Sequence, residues 1–259
     1  MAEQEFTDRR VLITGASKGL GKAAAIAFEK RGARLALVAR SDEKLQELKH
    51  SFSEQDKHCF FSLDLLISEN IAKLTNSISK QWGGVDAILH CIGGSLGVND
   101  TLVDWEEFSK CLKGNIGIAS EINRYLVPHM QEQGYGNIIH VSSIAGAEAR
   151  ASVPYNTAKA SISGYVRSLG KELAEDSIVV SGILPGVFYG DDNAMFRYEY
   201  YRPEEYREFV KTLPQGRMPQ AEEYVPILLL LANPESKIMS GSLISLDGAQ
   251  GQAFFNFSS

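Results

Sequence analysis

Arg10-Val-Leu-Ile-Thr14-Gly15-Ala16-Ser17-Lys18-Gly19-Leu20-Gly21-Lys22-Ala23 is the stretch on which the fold turns. A short, mostly aliphatic run leads straight into a glycine-rich turn, and Ala23-Ala-Ala-Ile-Ala27 then continues as a good helix former. Glycines at a strand-to-helix turn let the backbone bend tightly and approach a pyrophosphate. The helix N-terminus adds N–H groups and the positive end of its dipole. A phosphate-bearing cofactor is implied. A Walker A loop is excluded on spacing, because five residues rather than four separate Gly15 from Gly21, and Ala23 stands where a hydroxyl would hold magnesium.

Outward from this turn, short apolar runs alternate with longer amphipathic ones. Strands are expected at Arg10 to Thr14, Arg34 to Arg40, His58 to Asp64 and Val85 to Cys91, with helices at Leu20 to Lys30, Asp42 to Phe52 and Ser68 to Trp82 between them. The second half predicts helices over Asn115 to Gln133, Pro154 to Glu175 and Ala221 to Ala232. Its strands are expected at Asn137 to Ser142, Ile178 to Leu184 and Leu243 to Leu246. Strands joined through helices require crossover connections, hence an α/β fold with a doubly wound parallel sheet covered on both faces. The expectation is seven strands in a single domain over residues 1–259. Gly186 to Pro219 shows no clean period and reads as a long loop over the substrate, about 186–219.

Composition narrows the function. The 26 Lys and Arg against 32 Asp and Glu give a formal charge of -6, and no basic block is present, which argues against nucleic-acid binding. The apolar run Val225 to Ala232 is far too short to span a membrane, and the polar first ten residues lack the apolar core of a secretory signal. Cys59, Cys91 and Cys111 have neither disulfide-framework nor zinc spacing, so no metal is expected, and the thiols fit a reducing cytoplasm.

The cofactor's identity follows from the end of the second strand, about 20 residues past the glycine turn. An acidic residue there would hold an NAD ribose 2′-OH, whereas an Arg accommodates the 2′-phosphate of NADP. Arg40 and Ser41 stand there, with Lys18 in the turn, so NADP(H) is favoured over NAD(H). Asp42 is the rival ribose ligand, but its place suits a helix N-cap.

Tyr155-Asn-Thr-Ala-Lys159 opens a later helix, and side chains at i and i+4 share one face. A phenol with an ordinary pKa near ~10 needs roughly 4 kcal/mol of phenolate stabilisation to exchange protons near neutrality, which a neighbouring ammonium can provide. Ser142 and Ser143 end the preceding strand at the carboxyl edge of the sheet, where ligands bind in such folds and a hydroxyl can donate to a carbonyl oxygen.

Thr14-Gly-x-x-x-Gly-x-Gly21, Asn115, the Ser pair, Tyr155-x-x-x-Lys159 and Pro185-Gly186 together resemble the short-chain dehydrogenase/reductase family, from Val11 to about Gly248. The resemblance implies a Rossmann fold and a catalytic group of Tyr155, Lys159, Ser143 or Ser142, and Asn115. Tyr155 would donate the proton. Lys159 would lower its pKa and bind the nicotinamide ribose, a Ser would polarise the carbonyl, and Asn115 would hold a relay water. The implied cofactor contacts are Gly15, Ser17, Lys18, Gly19, Leu20 and Gly21 in the turn, then Arg40 and Ser41. Asp64 and Leu65 would lie at the adenine, Gly93 beyond the fourth strand, and Pro185, Gly186 and Val187 beside the nicotinamide. Ser143 is preferred over Ser142, because Ile144 and Gly146 follow it in the family manner, although its spacing to Tyr155 is one residue short.

His90-Cys91 replaces the Asn pair usual in the family, with packing the plainer account and a metal or catalytic role its rival. The other histidines, His50, His58, His129 and His140, read as structural. The substrate is expected to be a small carbonyl or alcohol, reduced with NADPH. An oxidative alcohol or sugar-nucleotide dehydrogenase is the alternative, and a non-catalytic cofactor-binding regulator the reading from another class. Eight aromatics between Phe188 and Phe209 suggest that the loop packs on something flat or apolar. Phe254, Phe255 and Phe257 in the tail point to a docking contact in a homodimer or homotetramer.

Overall fold

A computed structural model describes residues 5–252. The chain alternates β1 (Arg10–Thr14), α1 (Gly19–Glu29), β2 (Arg34–Ala39), α2 (Asp42–His50), β3 (Cys59–Ser62), α3 (Ser68–Trp82) and β4 (Ala87–His90). It continues through α4 (Trp105–Leu112), α5 (Ile118–Gln133), β5 (Gly136–Val141), α6 (Val153–Glu172) and β6 (Ile178–Pro185). Helices α7 (Ala194–Tyr201), α8 (Pro203–Thr212) and α9 (Val225–Ala232) precede β7 (Leu243–Leu246).

The described strands form one parallel sheet in the order β3-β2-β1-β4-β5-β6-β7. This is the doubly wound Rossmann arrangement. Strands buried on both faces need apolar residues at every position, as in Val11-Leu-Ile13 and Leu35-Ala-Leu-Val38, all fully buried. On one face they pack against Phe28, Leu45, Leu48, Leu228 and Leu231 of α1, α2 and α9. On the other they meet Ile71, Leu74, Ile122, Leu126 and Ile162 of α3, α5 and α6.

The order reverses at β1, so helices leave β1 and β4 toward opposite faces and a crevice opens at their carboxyl ends. The opposite end of the same two strands is tied by Asp86. Its carboxylate accepts from the Arg10 backbone N–H at 2.7 Å, from the Arg10 guanidinium and from the Tyr135 hydroxyl at 2.8 Å. Burial pushes the Asp86 carboxyl up, but these hydrogen bonds outweigh it and hold the group below the usual carboxylate range.

Three expectations need correction. Helix α4 was not foreseen, although Asp104 caps it, its side chain accepting from the Glu107 N–H at 2.9 Å, and Trp105, Phe108 and Leu112 recur at helical spacing within its eight residues. Asn115 does not start α5 but sits in a π-helical turn, Lys113–Gly117, that joins α4 to α5. The segment 186–219 is not a plain loop. It folds into α7 and α8, whose aromatic residues Tyr198, Tyr206 and Phe209 pack with Leu213 and Met218. On α8 the apolar residues Tyr206, Phe209 and Val210 recur at helical spacing, and α7 adds Met195 and Tyr198 to the same patch.

Candidate active site

A cleft of about 1330 Å³ opens along the carboxyl edge of the sheet and takes in both the glycine turn and Tyr155. At its phosphate end, Gly15 has φ +69° and a Cβ on Gly21 would overlap the Gly15 carbonyl oxygen, so the turn closes only with glycine at both positions. Nothing lies within 4 Å of where a Cβ would stand on Gly19, whose φ is +52°. There the cleft wall is bare backbone. Lys18, the N-cap of α1, makes no side-chain cap, so no side chain competes for the first-turn N–H groups. This cradle fits a pyrophosphate. Ser17, Leu20 and Gly21 line the same wall, with Leu20 and Gly21 otherwise buried.

Arg40, Ser41, Asp64 and Leu65 line the neighbouring stretch. Arg40 is exposed at the end of β2. Ser41, not Asp42, caps α2: its hydroxyl accepts from the Lys44 N–H at 3.3 Å, while Asp42 falls in the first turn. Asp64 is partly engaged, accepting from the Leu66 N–H at 3.0 Å. Lys44, which the sequence reading passed over, also lines the cleft. Its place in the first turn after Arg40 and Ser41 was the available signal.

Past β4, the Thr14 hydroxyl accepts from the backbone N–H of Cys91 at 3.2 Å and of Ile92 at 3.4 Å, fixing the chain as it leaves the sheet. A Cβ on Gly93 would stand 2.7 Å from Asn115 Oδ1 and 3.0 Å from Lys159 Nζ, so glycine alone lets this backbone pass between the two. His90 points the other way. Its Nε2 pairs with Asn123 Oδ1 at 2.9 Å, and its ring stacks on His140 at 4.7 Å between centroids, as the β4–β5 register dictates. Burial pushes the His90 imidazole down to about 4 and the Cys91 thiol up to about 12. A neutral His and an inert thiol suit packing. Among the described residues, no group of three His, Cys, Asp or Glu side chains could hold a metal.

Tyr155, Lys159, Ser143 and Asn115 converge from α6, the end of β5 and the π-helical turn. The Ser143 hydroxyl accepts from the Ala145 N–H at 3.1 Å and lies close enough to Tyr155 to draw its phenol downward. Ser142 is turned away and donates to the Lys159 carbonyl oxygen at 3.0 Å, buried under α6. Asn115 donates to the carbonyls of Gly94 at 2.9 Å and Cys111 at 2.8 Å and accepts from the Gly94 N–H at 3.1 Å. Lys159 Nζ donates to the Val141 carbonyl at 2.9 Å and lies 5.7 Å from the Tyr155 ring centroid.

Burial brings the Lys159 ammonium down to about 8. Contrary to the expected depression, the Tyr155 phenol is pushed up by burial, which outweighs the downward pull of Ser143. The ammonium stands over the ring and is hydrogen-bonded to a carbonyl.

At the end of β6, Pro185, Gly186 and Val187 border the cleft. Gln250, a second residue that went unforeseen, accepts from the Val187 N–H at 2.8 Å and donates to its carbonyl at 3.2 Å. Phe254, Phe255 and Phe257 of the tail lie outside the described residues.

Residues 9–199 match the family described as short chain dehydrogenase. The chain belongs to that family. As a short-chain dehydrogenase/reductase it is an NAD(P)-dependent oxidoreductase. It is 30% identical to an uncharacterised oxidoreductase of Thermotoga maritima over 94% of this chain and 97% of that one. To the 3-oxoacyl-(acyl-carrier-protein) reductase FabG of Aquifex aeolicus it is 27% identical, over 92% and 95%. The structure of L-sorbose reductase from Gluconobacter frateurii, complexed with NADPH and L-sorbose, superposes with a TM-score of 0.87 at 25% identity, covering 98% of this chain and all of that one. Among the described residues, no helix of this dehydrogenase is long and apolar enough to cross a membrane.

Proposed function

We propose that this short-chain dehydrogenase/reductase reduces a small-molecule carbonyl to an alcohol with NADPH, and that Tyr155, Lys159, Ser143 and Asn115 carry the chemistry. The observation on which the reading rests is that Ser143, Tyr155 and Lys159 line one cleft with the glycine turn, the Lys159 ammonium 5.7 Å from the Tyr155 ring centroid. The bound nicotinamide would supply the hydride. A substrate carbonyl seated between the two hydroxyls accepts a hydrogen bond from Ser143 and the proton from the Tyr155 hydroxyl. The phenolate left behind is stabilised by the Lys159 ammonium, which Val141 holds in place. In the oxidative direction the same groups act in reverse.

Arg40, Lys18 and Lys44 beside the cradle support NADPH over NADH. The segment 186–219 is assigned to the substrate. Leu102 and Trp105, exposed at and before α4, are consistent with assembly as a homodimer or homotetramer.

The test mixes the purified protein with NADPH or NADH and a panel of ketones, keto sugars and acyl thioesters, and follows absorbance. Turnover with NADPH that falls to background in Ser143→Ala but not in Ser142→Ala is the expected result. Faster turnover with NADH removes the cofactor preference, and binding without turnover across the panel favours a non-catalytic regulator.

A further inference from the structure

Lys18 and Lys44, two of the cations that line the phosphate side of the cleft, are not free to await a ligand. Both reach Asp192, which follows β6 and precedes α7. Lys44 Nζ stands 2.7 Å and Lys18 Nζ 3.5 Å from the same oxygen, Asp192 Oδ2, and Lys18 also donates to the Asp192 carbonyl at 3.1 Å. Arg197 closes the third side, 3.6 Å from Oδ1 and 2.7 Å from the carbonyl. Next to it, Lys22 pairs with Asp191 at 2.7 Å. The Lys44 hydrogen bond and the other cations hold the Asp192 carboxyl below the usual carboxylate range.

This segment runs directly over the glycine turn. A Cβ on Gly190 would meet Gly19 Cα at 3.0 Å, and Asp192 takes the left-handed conformation, with φ +55°, that aims its carboxylate back at the turn. A single carboxylate gathering Lys18 and Lys44 gives these two cations the kind of partner that a phosphate monoester would give them.

We propose that Asp192 is an internal rival of the cofactor's 2′-phosphate for Lys18 and Lys44, and so sets how strongly this enzyme discriminates NADPH from NADH. This inference rests on the NADP reading of Arg40 and Lys18. The ion pairs are half-exposed, so a dianion can displace the monoanion from them. Each cation released from Asp192 regains its full charge toward the phosphate. NADH carries the pyrophosphate but no 2′-phosphate, so it collects less of that gain.

The test uses Asp192→Asn, which removes the charge and keeps a residue that tolerates positive φ, together with Lys44→Gln and the double variant. Dissociation constants for NADPH and NADH come from fluorescence titration, and those for 2′,5′-ADP and 5′-AMP, which differ only in the 2′-phosphate, from calorimetry. In Asp192→Asn, NADPH and 2′,5′-ADP are expected to tighten by about 3- to 10-fold while NADH and 5′-AMP move less than about 2-fold. The double variant loses most of that gain. Unchanged or weaker NADPH binding in Asp192→Asn, or an equal shift for both cofactors, overturns the proposal. The wild-type protein tests the underlying reading separately. If it binds 2′,5′-ADP no better than 5′-AMP while Asp192→Asn acquires the preference, the rivalry stands and the native NADP preference falls. If the wild type prefers 2′,5′-ADP and the variant leaves the ratio untouched, the preference stands and the rivalry falls.

Discussion

Replacing His90 by Asn is expected to make the protein less sensitive to acid, in spite of the damage it does to packing. His90 and His140 stack at the heart of the sheet, between Asn123 and Tyr165, with Lys159 close enough to repel a further positive charge. Neither His90 Nδ1 nor His140 Nε2 has a protein partner. Burial holds His90 at about 4 and His140 well below its ordinary value. In the unfolded chain both imidazoles titrate near ~6.5. Between those limits the unfolded state binds more protons than the native one. Stability therefore rises with pH through this window, is complete above about 6.5, and is lost as pH falls toward about 4.

For His90 alone the loss between pH 7 and pH 5 comes to about 2 kcal/mol, a large fraction of a typical folding free energy. His140 adds a loss of the same sign, and the two rings titrate as a coupled pair. The assay is urea unfolding of the wild type and His90→Asn at pH 7 and pH 5, at one protein concentration. The packing cost of the substitution is present at both pH values and cancels in the difference. The wild type should lose about 2 kcal/mol more than the variant on going to pH 5. Equal losses would refute the reasoning, because they would mean that the stacked pair takes up protons in the folded state as readily as in the unfolded one.

Tyr155→Phe should lower kcat for carbonyl reduction by about 10²- to 10⁴-fold and leave the NADPH dissociation constant nearly unchanged, read by steady-state rates and fluorescence titration. Gly21→Ala forces a methyl group into the Gly15 carbonyl. It should cost about 1–3 kcal/mol of stability in urea and weaken NADPH and NADH alike, since the cradle serves the pyrophosphate that both carry. Asp86→Ala strands the Arg10 guanidinium and the Tyr135 hydroxyl at the base of β1 and β4. Its expected cost is about 3 kcal/mol in urea unfolding, with the ratio of NADPH to NADH affinity unmoved.

What the linear chain determined is local. Aliphatic runs broken by helical periods specify parallel strands joined by crossovers, and the glycine turn after β1 marks the switch point of the sheet. Tyr155 and Lys159 share a helix face because they are four residues apart, and Arg40 stands at the end of β2 because the strand ends there. Short-range geometry suffices for each of these.

Other features rest on contacts between residues far apart in the chain, which no period encodes. Ser142 and Ser143 are adjacent, and only the twist of the chain leaving β5 turns one under α6 and the other to Tyr155. His90 meets His140 through strand register, and Lys44 meets Asp192 across 148 positions. Helices α7 and α8 are held by the packing of Tyr198, Tyr206 and Phe209 with Leu213 and Met218. The direction of the Tyr155 shift was also a tertiary matter, because burial depends on everything packed around the ring, whereas the i, i+4 spacing places only the cation.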